Sequence, residues 1–252
     1  MNVPQPNSER KKICLLLSAT VDVRGIVFMK RDDPRERFED YRQALRRWVK
    51  RDDFDKLIFV ENSGYDISEL REIVDQSPLS KDSVEFLSFD GQDFPRELGK
   101  GYGETLNYQH VLDNSKILSE DDRLIRSNGR YYVENMHAFF EALQPPTEML
   151  TELRQYLSYA DLTLIGGTVD FFRRYICSYG REVNDSKGYY MEHAYARAVH
   201  RALADGLVWR PFPEPPSVVG YSGTENVLKK DKVLARTGRK LRHKLRLRVY
   251  QA

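Results

Sequence analysis

The sequence predicts an α/β fold, a mostly parallel sheet with helices on both faces, from three observations. Short apolar runs bounded by charge recur through the first half of the chain, each is followed by a stretch with helical spacing, and no internal repeat or low-complexity tract interrupts them. At 252 residues, with 40% apolar and 12% aromatic side chains, the chain can build one well-cored domain.

The elements follow in order. "KKICLLLSAT" (11–20) has the form of a buried parallel strand. "DDPRERFEDYRQALRRWVKR" opens with a cap and a proline, and its Phe38, Tyr41, Leu45, Trp48 and Val49 share one helical face. "DKLIFVENSG" (55–64) reads as a second strand, "DISELREIVDQS" as a short helix capped by Ser68, and "VEFLSFD" (84–90) as a third strand. The glycine-punctuated "ELGKGYGETLNYQHVLDNSKIL" feeds a helix, and Arg123 to Ile125 begin a fourth strand. After about residue 137 the pattern loosens. "MHAFFEALQPP" reads as helical up to its prolines, "ADLTLIGGTVDFFRRYI" as a strand and a helix, and "SKGYYMEHAYARAVHRALADG" as a helix ended by Gly206. "WRPFPEPPSVVGYSG" is expected to be a surface loop.

Charge is unevenly spread. Of 40 basic and 38 acidic residues, ten and one fall in residues 229–248, which leaves a mildly acidic body of 30 and 37. Leu241, Leu245 and Val249 make a narrow apolar stripe on that basic tail, as expected of a segment lying on an anionic membrane surface. No nucleic-acid module accompanies it, so nucleic acid is not the expected partner. No apolar run approaches the roughly 20 residues that cross a bilayer. "MNVPQPNSERKK" lacks the apolar core of a secretory signal, which predicts a cytoplasmic protein; its tail either makes it peripheral on the inner membrane or is a solvated or oligomer-binding segment. Cys14 and Cys177 sit in apolar stretches as buried thiols, and neither a disulfide nor a cysteine–metal site is expected. His193 and His200 are seven apart on one helix, too far for a zinc-binding pair, so structural roles are expected of the histidines.

In an open parallel sheet the ligand sits outside the carboxyl ends of the strands. Those ends are "SAT" (18–20), "VENSG" (60–64), the "GKGYGE" loop (99–104) and "SNGR" (127–130). Thr20, Glu61 and Asn62 are placed to hydrogen-bond a base or ribose, unless Asn62 and Ser63 only hold a turn. Lys100 and Gly101 open a helix whose free N–H groups form an anion site, unless the glycines are merely a flexible connection.

The order of these motifs resembles the nucleotide-sugar-binding half of GT-A glycosyltransferases, and most of all small ones of bacterial capsule and lipopolysaccharide clusters. It covers roughly residues 11 to 205. The resemblance implies a GT-A-like (Rossmann-like) domain over 11–220, with a nucleotide-sugar half at 11–135 and an acceptor and catalytic half at 136–220. Residues 1–10 are expected to be a flexible N-terminus, and the tail is expected to occupy 221–252. The resemblance also implies transfer from a CMP-, UDP- or GDP-linked sugar to a saccharide or lipid-linked glycan hydroxyl.

The sequence departs from the family at one place. Where Asp-x-Asp usually holds a divalent cation, it has Ser127-Asn128-Gly129-Arg130. Without two carboxylates a hard cation has little to bind. A guanidinium fits phosphate oxygens and stays charged, so Arg130 is expected to replace the metal, with Asn128 beside it and Gly129 letting the backbone approach the donor. The alternative is an ordinary ion pair for Arg130. The resemblance places a catalytic carboxylate at the start of a late helix, which selects Glu192 as general base of an inverting transfer, with Asp185 and Asp170 in reserve. Pairing of Glu192 with Arg197 is the alternative there. Arg31, Asp33 or Arg35 is placed to reach over the donor. Two other readings stay open: a non-catalytic nucleotide- or glycan-binding protein, and a sugar nucleotidyltransferase.

Overall fold

A computed structural model describes residues 9–23 and 29–229, together with Gly238 and His243. The first strand, β1 (Ile13–Ala19), is buried along its whole length. Its odd residues Ile13, Leu15 and Leu17 enter one core with Tyr41, Leu45 and Trp48 of α1 (Pro34–Trp48). Its even residues Cys14 and Leu16 enter a second core on the other face. This is the period-2 alternation of a strand covered on both sides. Asp33 caps α1, its carboxylate accepting from the N–H groups of Arg35 and Glu36, and Pro34 starts the helix.

β2 (Lys56–Glu61), α2 (Ser68–Asp75), β3 (Val84–Ser88), α3 (Lys100–Asn114) and β4 (Arg123–Asn128) follow. α2 lacks the expected Ser68 side-chain cap; Asp66 instead accepts from the Ser68 N–H at 2.9 Å. Then come β5 (Tyr132–Val133), α4 (Met136–Ala142), β6 (Met149–Arg154) and β7 (Tyr159–Thr168). α5 (Val169–Phe171) runs through a π turn into α6 (Cys177–Gly180), and α7 (Met191–Ala204), β8 (Trp209–Arg210), β9 (Val218–Tyr221) and β10 (Leu228–Lys229) complete the described chain.

The main sheet has seven strands in the order β3-β2-β1-β4-β7-β6-β8. β3, β2, β1 and β4 are mutually parallel, and β7 runs antiparallel to both β4 and β6. β6 is absent from the sequence reading for two physical reasons. The buried Thr151 and Glu152 break its apolar run, and the turn into β7 uses Gln155, Tyr156 and Leu157, all at positive φ, in place of glycine. The proline-rich segment, read as a loop, supplies β8 and β9. A second sheet, β10-β9-β5, pairs residues 218–229 with the chain directly after β4. Among the described residues no helix is long and apolar enough to cross a membrane. The basic stretch 229–248, expected from sequence to meet a membrane surface, lies outside the described residues except for Lys229, Gly238 and His243.

Candidate functional site

The carboxyl ends of β1, β2 and β4 open into a cleft of about 340 Å³, closed on its other sides by α1, α3, β7, the start of α7 and residues 222–229. Of the residues selected from sequence, Thr20, Asn62, Lys100, Asn128, Arg130 and Glu192 line it.

Arg130 ends the turn after β4. Asn128 shapes that turn, its Oδ1 accepting from the Arg130 N–H at 3.1 Å. Arg130 is 5% exposed, and its Nε and Nη1 have no hydrogen-bond partner. No carboxylate pairs with it among the described residues. A second buried guanidinium stands nearby. Arg37 of α1 donates from Nε to the carbonyls of Thr20 (3.0 Å) and Val21 (3.1 Å) and from Nη1 to that of Arg31 (3.0 Å). Burial holds Arg37 below the usual guanidinium range, and the neighbouring charge of Arg130 lowers it further. Lys100 and Lys229 complete this basic end of the cleft. Lys100 Nζ donates to Thr224 Oγ1 at 3.0 Å, and Lys229 lies 5.6 Å from the Tyr131 ring centre.

The cleft's carboxylates are each engaged. Glu104 lies 2.7 Å from Arg126 Nη2, and Asp161 pairs with Arg154. Burial works against the Arg126 charge, but Glu104 outweighs it and holds the guanidinium above its usual range. Glu192, in the first turn of α7, stands near the Tyr159 hydroxyl and acts on its titration. Burial and the Glu192 charge push the Tyr159 phenol up to about 12. Arg197 does not pair with Glu192; its Nη1 takes Glu182 at 2.6 Å and the Tyr189 hydroxyl at 3.1 Å.

Four selected residues have other surroundings. Glu61 is fully buried and faces the fold: Oε1 accepts from the N–H groups of Val21 (3.0 Å) and Ser63 (2.9 Å) and from the Ser63 hydroxyl, and Oε2 from the Tyr65 N–H (3.1 Å). Burial pushes its carboxyl up against the pull of those bonds. The structure thus removes Glu61 from the cleft surface, because the turns after β1 and β2 need an acceptor for their free N–H groups. Gly101 is a packing glycine: a Cβ there would fall 2.7 Å from that of Met191. At Gly129 a Cβ would fall 3.0 Å from the Ser18 carbonyl and 3.1 Å from the Tyr41 ring, so the close approach is to β1 and α1.

Asp185 lies against the N-terminus of α3, packed on Gly99 with its carboxylate under the influence of Lys100. The anion position read from "GKGYGE" is therefore taken by the protein's own side chain. Gly99, at φ +78°, makes room for it, since a Cβ there would fall 2.0 Å from Asp185 Oδ2. Gly99→Ala is expected to cost about 1–3 kcal/mol of stability by chemical denaturation, from strain at that φ and the clash together. Burial raises the Asp185 pKa, the like charge of Glu192 adds to this, and Lys100 opposes both. A raised folded-state pKa favours folding below the unfolded value of 3.8, and that contribution is lost as pH rises through the folded value. Asp185→Asn at neutral pH is accordingly expected to leave the melting temperature unchanged or higher.

The sequence reading missed Arg37, Tyr41, Gln92, Tyr159, Asp161 and residues 222–224, all of which line the cleft. One signal was legible: Arg37 lies on the same face of α1 as Tyr41, an odd place for a charge that merely meets solvent. Of the arginines placed over the donor, Arg31 pairs with Asp40 (2.5 Å) and Glu36 (2.9 Å), and Arg35 is exposed. Asp170 pairs with Arg174 at 3.2 Å. His193 accepts from the Tyr190 N–H as part of the α7 cap, and His200 contacts the Leu157 carbonyl at 2.8 Å, structural roles for both. Among the described residues no three His, Cys, Asp or Glu side chains converge on a possible metal position.

No known protein-family model matches the chain, and no curated protein matches it. Solved structures do. A protein assigned as a nucleotide-diphospho-sugar transferase from Desulfovibrio desulfuricans G20 aligns at 11% identity and TM-score 0.45, over 80% of each chain. The glycosyltransferase GlyE of Streptococcus pneumoniae TIGR4 aligns at 8% identity and TM-score 0.46, over 79% of this chain and 45% of its own. The bifunctional glycosyltransferase WbbM aligns at 8% identity and TM-score 0.41, over 76% of this chain and 39% of its own. The chain thus spans less than half the length of the last two. Likenesses at this level are silent on substrate and chemistry.

Proposed function

We propose that the protein is a glycosyltransferase that moves a sugar from a nucleotide-activated donor to a saccharide hydroxyl without an essential metal. The observation that carries this reading is the Arg130 guanidinium, held in the cleft with Nε and Nη1 unpartnered and, among the described residues, no carboxylate paired with it. Burying such a cation is costly unless an anion joins it. A donor phosphate is that anion, with Lys100 and Lys229 adding charge at the same end.

In this reading the acceptor oxygen attacks the anomeric carbon, the bond to phosphate breaks, and Arg130 stabilises the charge left on the nucleotide. Glu192 takes the acceptor proton. Tyr159 orients it, remaining protonated because its pKa is pushed up to about 12. Beside Glu192 a groove lined by Tyr156, Tyr189, His193 and His200 offers aromatic faces to a saccharide or lipid-linked acceptor. Thr20 and Asn62 stand where the base or ribose would lie. An inverting course follows from Glu192 acting as base, and a role in surface-polysaccharide assembly fits the resemblance in sequence motifs. A cytoplasmic site with membrane contact rests on the composition of residues 229–248.

Thermal unfolding with CMP, UDP, GDP or dTDP, each with Mn²⁺ or with EDTA, tests this. A ligand at about 100 times its dissociation constant adds about 2.7 kcal/mol. At least one nucleotide is expected to stabilise the protein equally in both conditions. No response to any nucleotide would end the transferase reading, and a response that needs Mn²⁺ would displace Arg130 from its role.

A further inference from the structure

The wall of the cleft formed by Thr20, Asn62 and Gln92 is an oriented hydrogen-bond chain, and its orientation decides what it can bind. The direction is set by Asn62. Its Nδ2 donates to the Gly103 carbonyl at 3.1 Å, which fixes Oδ1 as an acceptor on the other side. Two groups donate to that one oxygen, the Thr20 hydroxyl at 2.7 Å and Gln92 Nε2 at 3.1 Å. Gln92 Nε2 also donates to the Asn62 carbonyl at 3.3 Å. Turning the Gln92 amide over would set its oxygen against two acceptors, so the nitrogen must face Asn62.

The consequence is a surface biased toward acceptors. The Thr20 hydroxyl has given up its proton and presents lone pairs. Gln92 is 3% exposed, and its Oε1 has no partner. The adjacent backbone donors are also spent: the N–H groups of Thr20, Val21 and Asp22 go to the Tyr41 hydroxyl, the Glu61 carboxylate and the Ser63 hydroxyl, each at 3.0 Å. A buried amide oxygen left unpaired is unfavourable, and the donor that relieves it has to enter from the cleft that Gln92 lines.

The geometry points to Gln92 and Thr20 as specificity-determining residues that select a nucleobase carrying an exocyclic amino group over uracil or thymine. This rests on the nucleotide-donor reading above. An amino group brings two hydrogens to two neighbouring acceptors. Uracil and thymine have one ring N–H flanked by two carbonyls, which would oppose the same acceptors. Rejection by unpaired polar atoms is stronger than rejection by shape.

Calorimetric titration with CMP, GMP, AMP, UMP, dCMP and inorganic pyrophosphate tests the assignment. At least one amino-bearing nucleotide is expected to bind about tenfold or more tightly than UMP, a step of 1.4 kcal/mol. Gln92→Leu and Thr20→Val, each checked for wild-type circular dichroism, are expected to bring that ratio toward one while pyrophosphate binding holds within about threefold. UMP binding as tightly as the others, or a preference untouched by both substitutions, overturns the assignment. So does a preference that follows the 2′-hydroxyl when CMP is compared with dCMP, since the wall would then read ribose. In those cases the nucleotide reading survives. If no nucleotide binds at all, that reading falls and this one with it.

Discussion

Arg130→Met is expected to abolish nucleotide binding while making the unliganded protein more stable. The two effects have one cause. In the cleft Arg130 is 5% exposed, with Nε and Nη1 unpartnered and no ion pair among the described residues. Leaving such groups buried costs about 1–3 kcal/mol, which methionine would relieve while keeping much of the apolar stem. For a chain of this size that corresponds to a rise in melting temperature of about 2–4 °C per kcal/mol. It would also ease the depression of the Arg37 pKa, to which the Arg130 charge contributes. Against that gain, losing the guanidinium that the cleft leaves free to meet a phosphate is expected to lower transfer about 10²–10³-fold or more. Arg130→Lys keeps the charge but not the fork, and should recover only a small part of the activity. A variant that melts lower and binds nucleotide like the wild type would show that Arg130 is a packing residue.

Glu192→Gln is expected to reduce transfer by about 10²–10⁴-fold and to leave nucleotide affinity within about threefold. Glutamine keeps the shape beside the Tyr159 hydroxyl but cannot take a proton. Tyr159→Phe should show a smaller loss, because it removes the group that orients the carboxylate and spares the carboxylate itself. The wild type should also carry a marker of the pair at high pH. Tyr159 has a folded-state pKa of about 12 against an unfolded 10.0, so its contribution to stability is present below 10 and lost as pH rises through 12. Tyr159→Phe removes that dependence. Single-turnover rates and equilibrium binding, measured together, separate the roles. Unchanged transfer in Glu192→Gln would take this residue out of the mechanism.

How far the sequence reaches can be seen at individual residues. β1 was legible because all seven of its residues are buried, so composition alone marks it as a central strand. α1 was legible from Asp33, Pro34 and one apolar face, all local features. Glu61 shows where this stops. Its position at the end of β2 was read correctly, but its carboxylate turns inward to N–H groups that include Val21, forty residues away. Asp185 likewise lies against Gly99, in a loop whose glycines otherwise look like a phosphate cradle. Ser222 to Thr224 reach the cleft only because β9 pairs with β5 and brings the chain back over Arg130.

By itself, then, the sequence determined the alternation of strands and helices, the parallel first half of the sheet, and the end of it at which polar residues gather. Those depend on periodicity and on how much of each segment must leave water, and both are properties of neighbouring residues. The tertiary structure alone decided the antiparallel β6–β7 pair, and which of those polar groups spend their hydrogen bonds on the fold. It also decided which ones remain for a ligand. Each polar atom has only one or two bonds to make, and in this protein the partners that claim them come from elements far apart in the chain.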